Sequence, residues 1–446
     1  MNTLGAAIST LLVAVVLFGS RRAAALALLA GILYLTQQQN VNVGGFNVYA
    51  FRLLEIAGFV RLVVKREALA NGLNGIDKLV TAVYGYTVLV YLMRSDEGGA
   101  AYQIGTAVDA FLCYFCFRAV IAGIDDYTWL MKRLVLLLVP YAALVVRESL
   151  TLENPFALIG GVELARAGDV WVREGRLRAT GSFGHPSLLG TFGAAFLPLY
   201  ASVFVASDRR WLLGLGLGAC LVIVWATNSG GPAACVLAAV AGGVLWPLRR
   251  HMGWFRIAVA VILLALVVIM KAPIWYVLAR ISSVTGGGGF HRAALLDAAF
   301  QNFDQWWLAG MPALATSRWL PYTNTNTGAV DMTNNFLQFG IAAGLGAVLL
   351  LIALICVAFR RLGLAMERVR AQASEGGSST EYVLWGLGVM IGVHLFNWFS
   401  IAYWDQSNVV WFLHLALVST LAGNLRDTEK ELTDHPIYSH ARQDQT

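Results

Sequence analysis

Apolar runs close to membrane length recur from one end of this chain to the other. That feature restricts its folding more than any other. A helix needs about 20 largely apolar residues to cross the hydrocarbon core of a bilayer. Such runs lie near 4–20, 23–37, 46–64, 78–94, 101–124, 133–147, 187–206, 211–227, 232–247, 256–272, 334–358, 382–402 and 407–423. They are continuous rather than alternating, which excludes a transmembrane β-barrel. The expected fold is therefore all-α, a polytopic transmembrane helical bundle of about 12–13 spans forming one integral membrane domain over 1–446. Charged residues make up only 13% of the chain, against about 25% in a soluble domain. The first run lacks a basic flank before it and is followed by Arg21-Arg22, so no cleavable signal peptide is expected.

Basic residues orient the spans. Arg21-Arg22, Lys65-Arg66, Lys132-Arg133, Arg209-Arg210, Arg249-Arg250 and Arg360-Arg361 fall on alternate connections. All can lie in the cytoplasm together. Segments 148–186 and 272–333 then share the opposite, extracytoplasmic face. Residues 361–379 read as a charged cytoplasmic linker and 425–446 as a polar cytoplasmic tail. This topology accounts for most of the net charge of +6, and nothing points to nucleic acid. The five cysteines all fall in apolar runs. Cys113 and Cys116 share a helix face, but no cationic or helix-terminal setting activates them, so they are expected as small core residues.

Between Lys271 and Gly344 the chain holds about sixty residues without a spanning run, longer than scaffold connections require. This stretch contains the glycine run 286–289, His291, Arg292, Trp306-Trp307, the polar tract 322–327 and DMTNNFLQFGIAAGL from Asp331 to Leu345. Cations, hydroxyls and amides are thus offered at a membrane surface, as an anionic lipid-linked substrate requires. The segment 148–186 breaks the positive-inside pattern with Arg166, Arg173, Arg176 and Arg178. Either these pair with Glu163, Asp169 and Glu174 or with lipid phosphates, or they bind a diphosphate, whose oxygens match the planar guanidinium fork. His185 and Pro186 mark the start of the next helix. The turn TNSGGP, 227–232, either caps helices or lines a polar pocket. Arg52 and Glu55, three apart, are expected to pair locally. Asp109, Arg118, His394 and His414 lie in or near spans, where ionisable groups are either buried in pairs or line a lipid-diphosphate or proton path.

The residues from about 150 to 360 resemble the O-antigen ligase and polymerase superfamily. Arg178, Gly181, Phe183 and Pro186 match an Arg-x-x-Gly-x-Phe-x-x-Pro stretch nearly in spacing. Thr227, Ser229 and Gly231 match a Thr-x-Ser-Arg-Gly turn, with Gly230 at the arginine. Arg292 heads the loop helix, Trp306 to Gly310 match a hydrophobic stretch ending in glycine, and Asn334, Leu337, Gln338 and Gly344 match the loop's closing motif. Thr333 stands at that motif's histidine.

The resemblance implies an O-antigen ligase/polymerase-like glycosyltransferase of the bacterial inner (cytoplasmic) membrane, with its active face extracytoplasmic. It would move a glycan from polyprenyl diphosphate (undecaprenyl diphosphate in bacteria) to a glycan or lipid-glycan acceptor in surface or exopolysaccharide biosynthesis. It implies neither cofactor nor metal. Arg178 and Arg292 would stabilise the leaving diphosphate, and His291, His185 or Asp331 would serve as general base. Arg176, Arg173, Thr227, Ser229, Asn334 and Gln338 would bind substrate. An ion pair of Arg292 with Asp297 or Asp304 is the simpler alternative for that residue. Two other functions stay open: a polyprenyl-linked glycan flippase or exporter, and a non-catalytic subunit among other polysaccharide assembly proteins. A flippase needs two similar halves, and no repeat is evident here.

Overall fold

A computed structural model describes residues 1–36, 38–43, 46–94, 99–160, 172–173, 175–285, 288–321, 328–372 and 379–423. Among these, thirteen helices follow the thirteen apolar runs. They are α1 (Thr3–Phe18), α2 (Arg21–Tyr34), α3 (Ala50–Lys65), α4 (Gly75–Met93), α5 (Ala100–Val120), α6 (Ile124–Thr151), α7 (Pro186–Ala206), α8 (Arg210–Ala226), α9 (Gly230–Val244), α10 (Met252–Ile269), α14 (Asn335–Gln372), α15 (Ser379–Trp398) and α16 (Gln406–Leu421). Between α10 and α14 lie the short α11 (Val277–Thr285), α12 (Gly289–Gln301) and α13 (Phe303–Trp306). The only strands among the described residues form two small antiparallel hairpins. They are β1 (Asn40–Val43) with β2 (Phe46–Tyr49), and β3 (Val172–Arg173) with β4 (Arg176–Leu177). Among the described residues, seven helical segments are long and apolar enough to cross a membrane unaided, and α1, α8 and α9 are shorter apolar helices. The chain is a multi-pass, all-α membrane protein.

Helix boundaries depart from the apolar runs where polar groups offer caps. The third run was expected to be helical from 46, but 46–49 is the strand β2. The sixth run extends outward to Ile124–Thr151, because Asp125 and Asp126 occupy its first turn, where acidic groups favour the helix dipole. Asn74 and Asp77 form a reciprocal capping box at the start of α4. Helix α14 continues through most of the expected linker, to Gln372.

Tight contacts place α7 at the centre, buried along most of its length and packed on α8, α9 and α15. Gly190 and Gly193 permit this. A Cβ at Gly190 would lie 2.6 Å from the Pro232 ring, and one at Gly193 would lie 2.9 Å from the Cys220 carbonyl. Helix α10 has no buried residue and stands at the periphery.

The basic connections gather at one end of the bundle. Arg21 donates to the Ala119 carbonyl, Arg22 pairs with Asp126, Lys65 reaches the Gly19 carbonyl at 3.3 Å, and Arg249 and Arg370 both pair with Glu381. The segment before α7 and the helices α11–α13 lie at the other end, called the loop end here. There a second small core of Leu295, Ala299, Trp306, Met311, Val330, Leu337 and Ile341 seats the long loop on α14.

Helix α14 is broken where this loop meets it. Ala343 and Gly344 leave helical geometry, Gly344 with φ of 76°. The freed carbonyls find partners: Met311 N–H donates to Ile341 O at 2.9 Å, and Arg94 donates to Ile341 O at 3.0 Å and Ala342 O at 3.3 Å. Leu345 N–H donates to Trp307 O at 2.7 Å. The stretch Trp306–Gly310 is thus the plug of a discontinuous helix, and broken backbone at membrane depth persists only when satisfied in this way.

Two intramembrane arginines are paired, one of them differently from expectation, while Glu55 is buried without an ion pair among the described residues. Arg52 forms a two-pronged pair with Asp109, both bonds 2.6 Å, and not with Glu55. Arg118 is fully buried and bonds Asp77, Ser419, Thr420 and the carbonyls of Ala70 and Gly72. Such full satisfaction is what makes a buried guanidinium tolerable. Cys113 and Cys116 are buried with free thiols.

Candidate functional site

The loop before α7, residues 178–185, is held by polar side chains on every side. Glu148, near the end of α6, accepts from Thr180 N at 2.8 Å, Thr180 Oγ1 at 3.1 Å and Gly181 N at 2.8 Å. Asn154 donates to Thr180 Oγ1 and Gly181 O, and Tyr141 meets Ser182. Gln406, at the start of α16, donates to Ser182 O at 2.9 Å and Leu35 O at 3.0 Å. Gly181 has φ of 58°, and a Cβ there would strike the Tyr141 hydroxyl at 2.4 Å. The glycine is needed for both reasons.

This clamp fixes Arg178. Its Nη2 donates to Ser229 Oγ at 2.9 Å and Ser187 Oγ at 3.3 Å. Burial, and then the nearby Arg173, lower its pKa from 12.5 to about 10. Ser229 in turn donates to the Thr227 carbonyl at 2.9 Å, and Asn228 donates to the Arg173 carbonyl at 3.0 Å. The hydroxyl of Thr227 is spent on the Val224 carbonyl at 2.8 Å.

Arg292 reaches the same turn from the long loop. It lines a small recess with Gly230, Gly231, Ala234 and Ser400. Its Nε donates to the Ser400 carbonyl at 3.0 Å, while Asp297 accepts from Gln301. Burial, and then Arg173, lower the Arg292 pKa. Arg178 on Ser229 and Arg292 beside Gly231 therefore stand at two ends of one short turn, and the charge of Arg173 is felt by both. Burial is the larger cause of both shifts and the charge of Arg173 the second, and a bound anion would offset both.

The other sequence-derived residues fall around this centre. Arg176 lies over the Trp225 ring, 4.3 Å from its centroid. His185 caps α7, and its Nδ1 accepts from Ser187 N at 3.1 Å. Burial, and then Arg178, lower its pKa to about 3. It is neutral in physiological conditions, with its proton on Nε2. His291 is bonded to the Asp331 carbonyl at 3.0 Å. The Asp331 side chain is exposed. Asn334 caps α14 by accepting from Leu337 N at 3.0 Å. Gln338 faces a separate cavity between α4, α5, α14 and α16, and its Oε1 is buried with no partner among the described residues. Arg166, Glu163, Asp169 and Glu174, with the tract 322–327, lie outside the described residues.

Sequence reasoning missed Ser187 and Ser400, which hold the arginines, and Glu148, Asn154 and Gln406, which hold the loop. It also missed Asp405, a carboxylate in the short connection between α15 and α16. Only the placement of an acid among uncharged residues at the loop end could have drawn notice to it. His394 and His414 bond to each other at 2.8 Å, and His394 continues to the Tyr403 hydroxyl at 2.7 Å. Among the described residues no three His, Cys, Asp or Glu side chains are arranged to hold a metal ion. No protein-family model matches the chain, and no curated protein matches it.

Proposed function

We propose that this chain is a glycosyltransferase of the O-antigen ligase and polymerase kind, acting at the extracytoplasmic face of a bacterial inner membrane. The observation that carries the reading is the meeting of Arg178, Arg173 and Arg292 around the turn 227–231. These residues come from segments more than one hundred positions apart, at the bundle end away from the basic connections. The positive-inside rule makes that the outer end.

The donor is a glycan on polyprenyl diphosphate. An acceptor hydroxyl attacks the anomeric carbon, forming the new C–O bond. The bond to the diphosphate breaks, and its electron pair leaves on the diphosphate oxygen. Fixed guanidinium groups stabilise that growing charge more than they stabilise the ground state. The clamp around 178–185 holds Arg178 in place beforehand, so little reorganisation is needed as charge develops.

The test is glycan transfer by purified protein in vesicles containing an undecaprenyl-diphosphate-linked glycan and an acceptor. Arg178→Ala and Arg292→Ala should each lower turnover by about 10²–10³. The double variant should lose less than the product of the two, because both act on one group. Lysine at either position keeps the charge but loses the fork and should remain damaging. Full activity in either alanine variant would defeat the reading, and translocation of donor without transfer would favour a flippase.

A further inference from the structure

The arginine cluster supplies cations for a leaving group but no base for the acceptor. Asp405 has the attributes of one. It is not glycine, yet its backbone sits at φ 49° and ψ −139°. Non-glycine residues hold such geometry at a cost, and they do so most often at functional sites. Its carboxylate presses on the clamped loop, so that a Cβ at Gly184 would lie 2.6 Å from Asp405 Oδ2. Among the described residues no hydrogen bond or ion pair reaches that carboxylate, which is largely buried. The next residue, Gln406, bolts this connection to Ser182. Asp405 and Arg178 therefore belong to segments tied to the same clamped loop.

The cavity that Gln338 faces reaches the same connection between α15 and α16, without Asp405 itself in its wall. Tyr403 and Asn408, on either side of Asp405 in the chain, line it. Tyr102, also in its wall, lies within electrostatic range of the carboxylate. Its polar lining is made of amides and hydroxyls, among them Thr87, Gln103 and Thr106, and no charged side chain lines it. A diphosphate would find no cation there. A neutral, hydroxyl-rich ring would find donors, acceptors and aromatic faces.

We propose that Asp405 is the general base for the acceptor and that this cavity receives the acceptor as an uncharged sugar. The inference rests on the glycosyl-transfer reading above. The acceptor hydroxyl gives its proton to the Asp405 carboxylate as its oxygen bonds to the anomeric carbon. The anomeric carbon–oxygen bond to diphosphate breaks on the opposite face, which inverts the configuration. Water then takes the proton from Asp405. Burial raises the carboxyl pKa to about 7, which suits proton transfer near neutral pH. Among the described residues, the titratable group in electrostatic range of it is Tyr102 from α5.

Asp405→Asn and Asp405→Gly should be assayed with the same vesicles, the second variant because glycine accepts this backbone without strain. Each should lower turnover by about 10²–10⁴ while leaving the donor KM within a few-fold. The wild-type rate should rise with pH through about 7, and the variants should lose that limb. Azide offered in place of the acceptor needs no deprotonation, so the variants should form glycosyl azide at the wild-type rate. Retained transfer, or azide turnover that falls as far as sugar transfer, would overturn the role of Asp405 and leave the glycosyltransferase reading standing. A wild-type protein that transfers to neither sugar nor azide would overturn both.

Discussion

Glu148 touches no substrate in this arrangement, yet its removal should be costly. The side chain is fully buried and receives three hydrogen bonds, from Thr180 N, Thr180 Oγ1 and Gly181 N. In Glu148→Ala those donors lose their acceptor without access to water. Each stranded donor costs about 1–3 kcal/mol. Asn154 donates to Thr180 Oγ1 and cannot replace the lost acceptor, so three donors at about 1 kcal/mol each give about 3 kcal/mol. At tenfold per 1.4 kcal/mol, local opening of the loop should become about 150-fold more frequent. Ala179 is buried in this loop, so Ala179→Cys reports the opening through its rate of reaction with a soluble thiol reagent. Glu148→Ala should accelerate labelling by roughly two orders of magnitude and lower glycan transfer through Arg178. Glu148→Gln keeps the shape but turns an amide N–H toward one of the donors, so it should fall between the two. Unchanged labelling in Glu148→Ala would refute the claim that this carboxylate holds the loop.

Three further outcomes follow from the geometry. Cysteines placed at Gln301 and Gln372 should label from opposite sides of the membrane, and equal reaction with an impermeant reagent in intact cells would contradict the topology. Thr333 has a buried hydroxyl without a partner among the described residues, so Thr333→Val should leave thermal stability unchanged or slightly raised and transfer within a few-fold. A collapse of turnover at normal protein levels would show that the hydroxyl is used. Gly344→Ala would put a methyl 2.5 Å from the Leu308 carbonyl at a φ of 76°, so it should destabilise the loop end by about 2 kcal/mol or more, visible as a lower unfolding temperature in detergent.

How much of this could be read from the chain varied with the physics. Apolar runs and the alternation of Arg21-Arg22, Lys65-Arg66 and their successors gave the helices and the shared basic end, because lipid leaves backbone few choices. Local strand pairing at β2 and first-turn acids at Asp125 set boundaries that periodicity does not encode. The expected local pair of Arg52 and Glu55 failed because spacing along one helix says nothing of Asp109 on its neighbour. Arg178, Ser229 and Arg292 were legible as types in a pattern. Ser400, Glu148 and Asp405 were not, since their significance lies in long-range contacts and, for Asp405, in backbone geometry. Trp306–Gly310 was visible as a motif, but its purpose appears only beside the break in α14.

That break also sets an order of events during synthesis. Arg94 precedes its partners Ala309 and Ile341 by 215 and 247 residues. At about 5–20 residues per second, the ribosome delivers them roughly ten to fifty seconds after the arginine has emerged. Throughout that wait the guanidinium has a neighbour already in place, the ring of Tyr91, 4.8 Å away. A contact between residues three apart on one helix can form as soon as α4 does, before the long loop arrives. A chimera carrying the loop of another protein would keep Arg94, and its loop would have to offer carbonyls in the places of Ala309 and Ile341 to meet it.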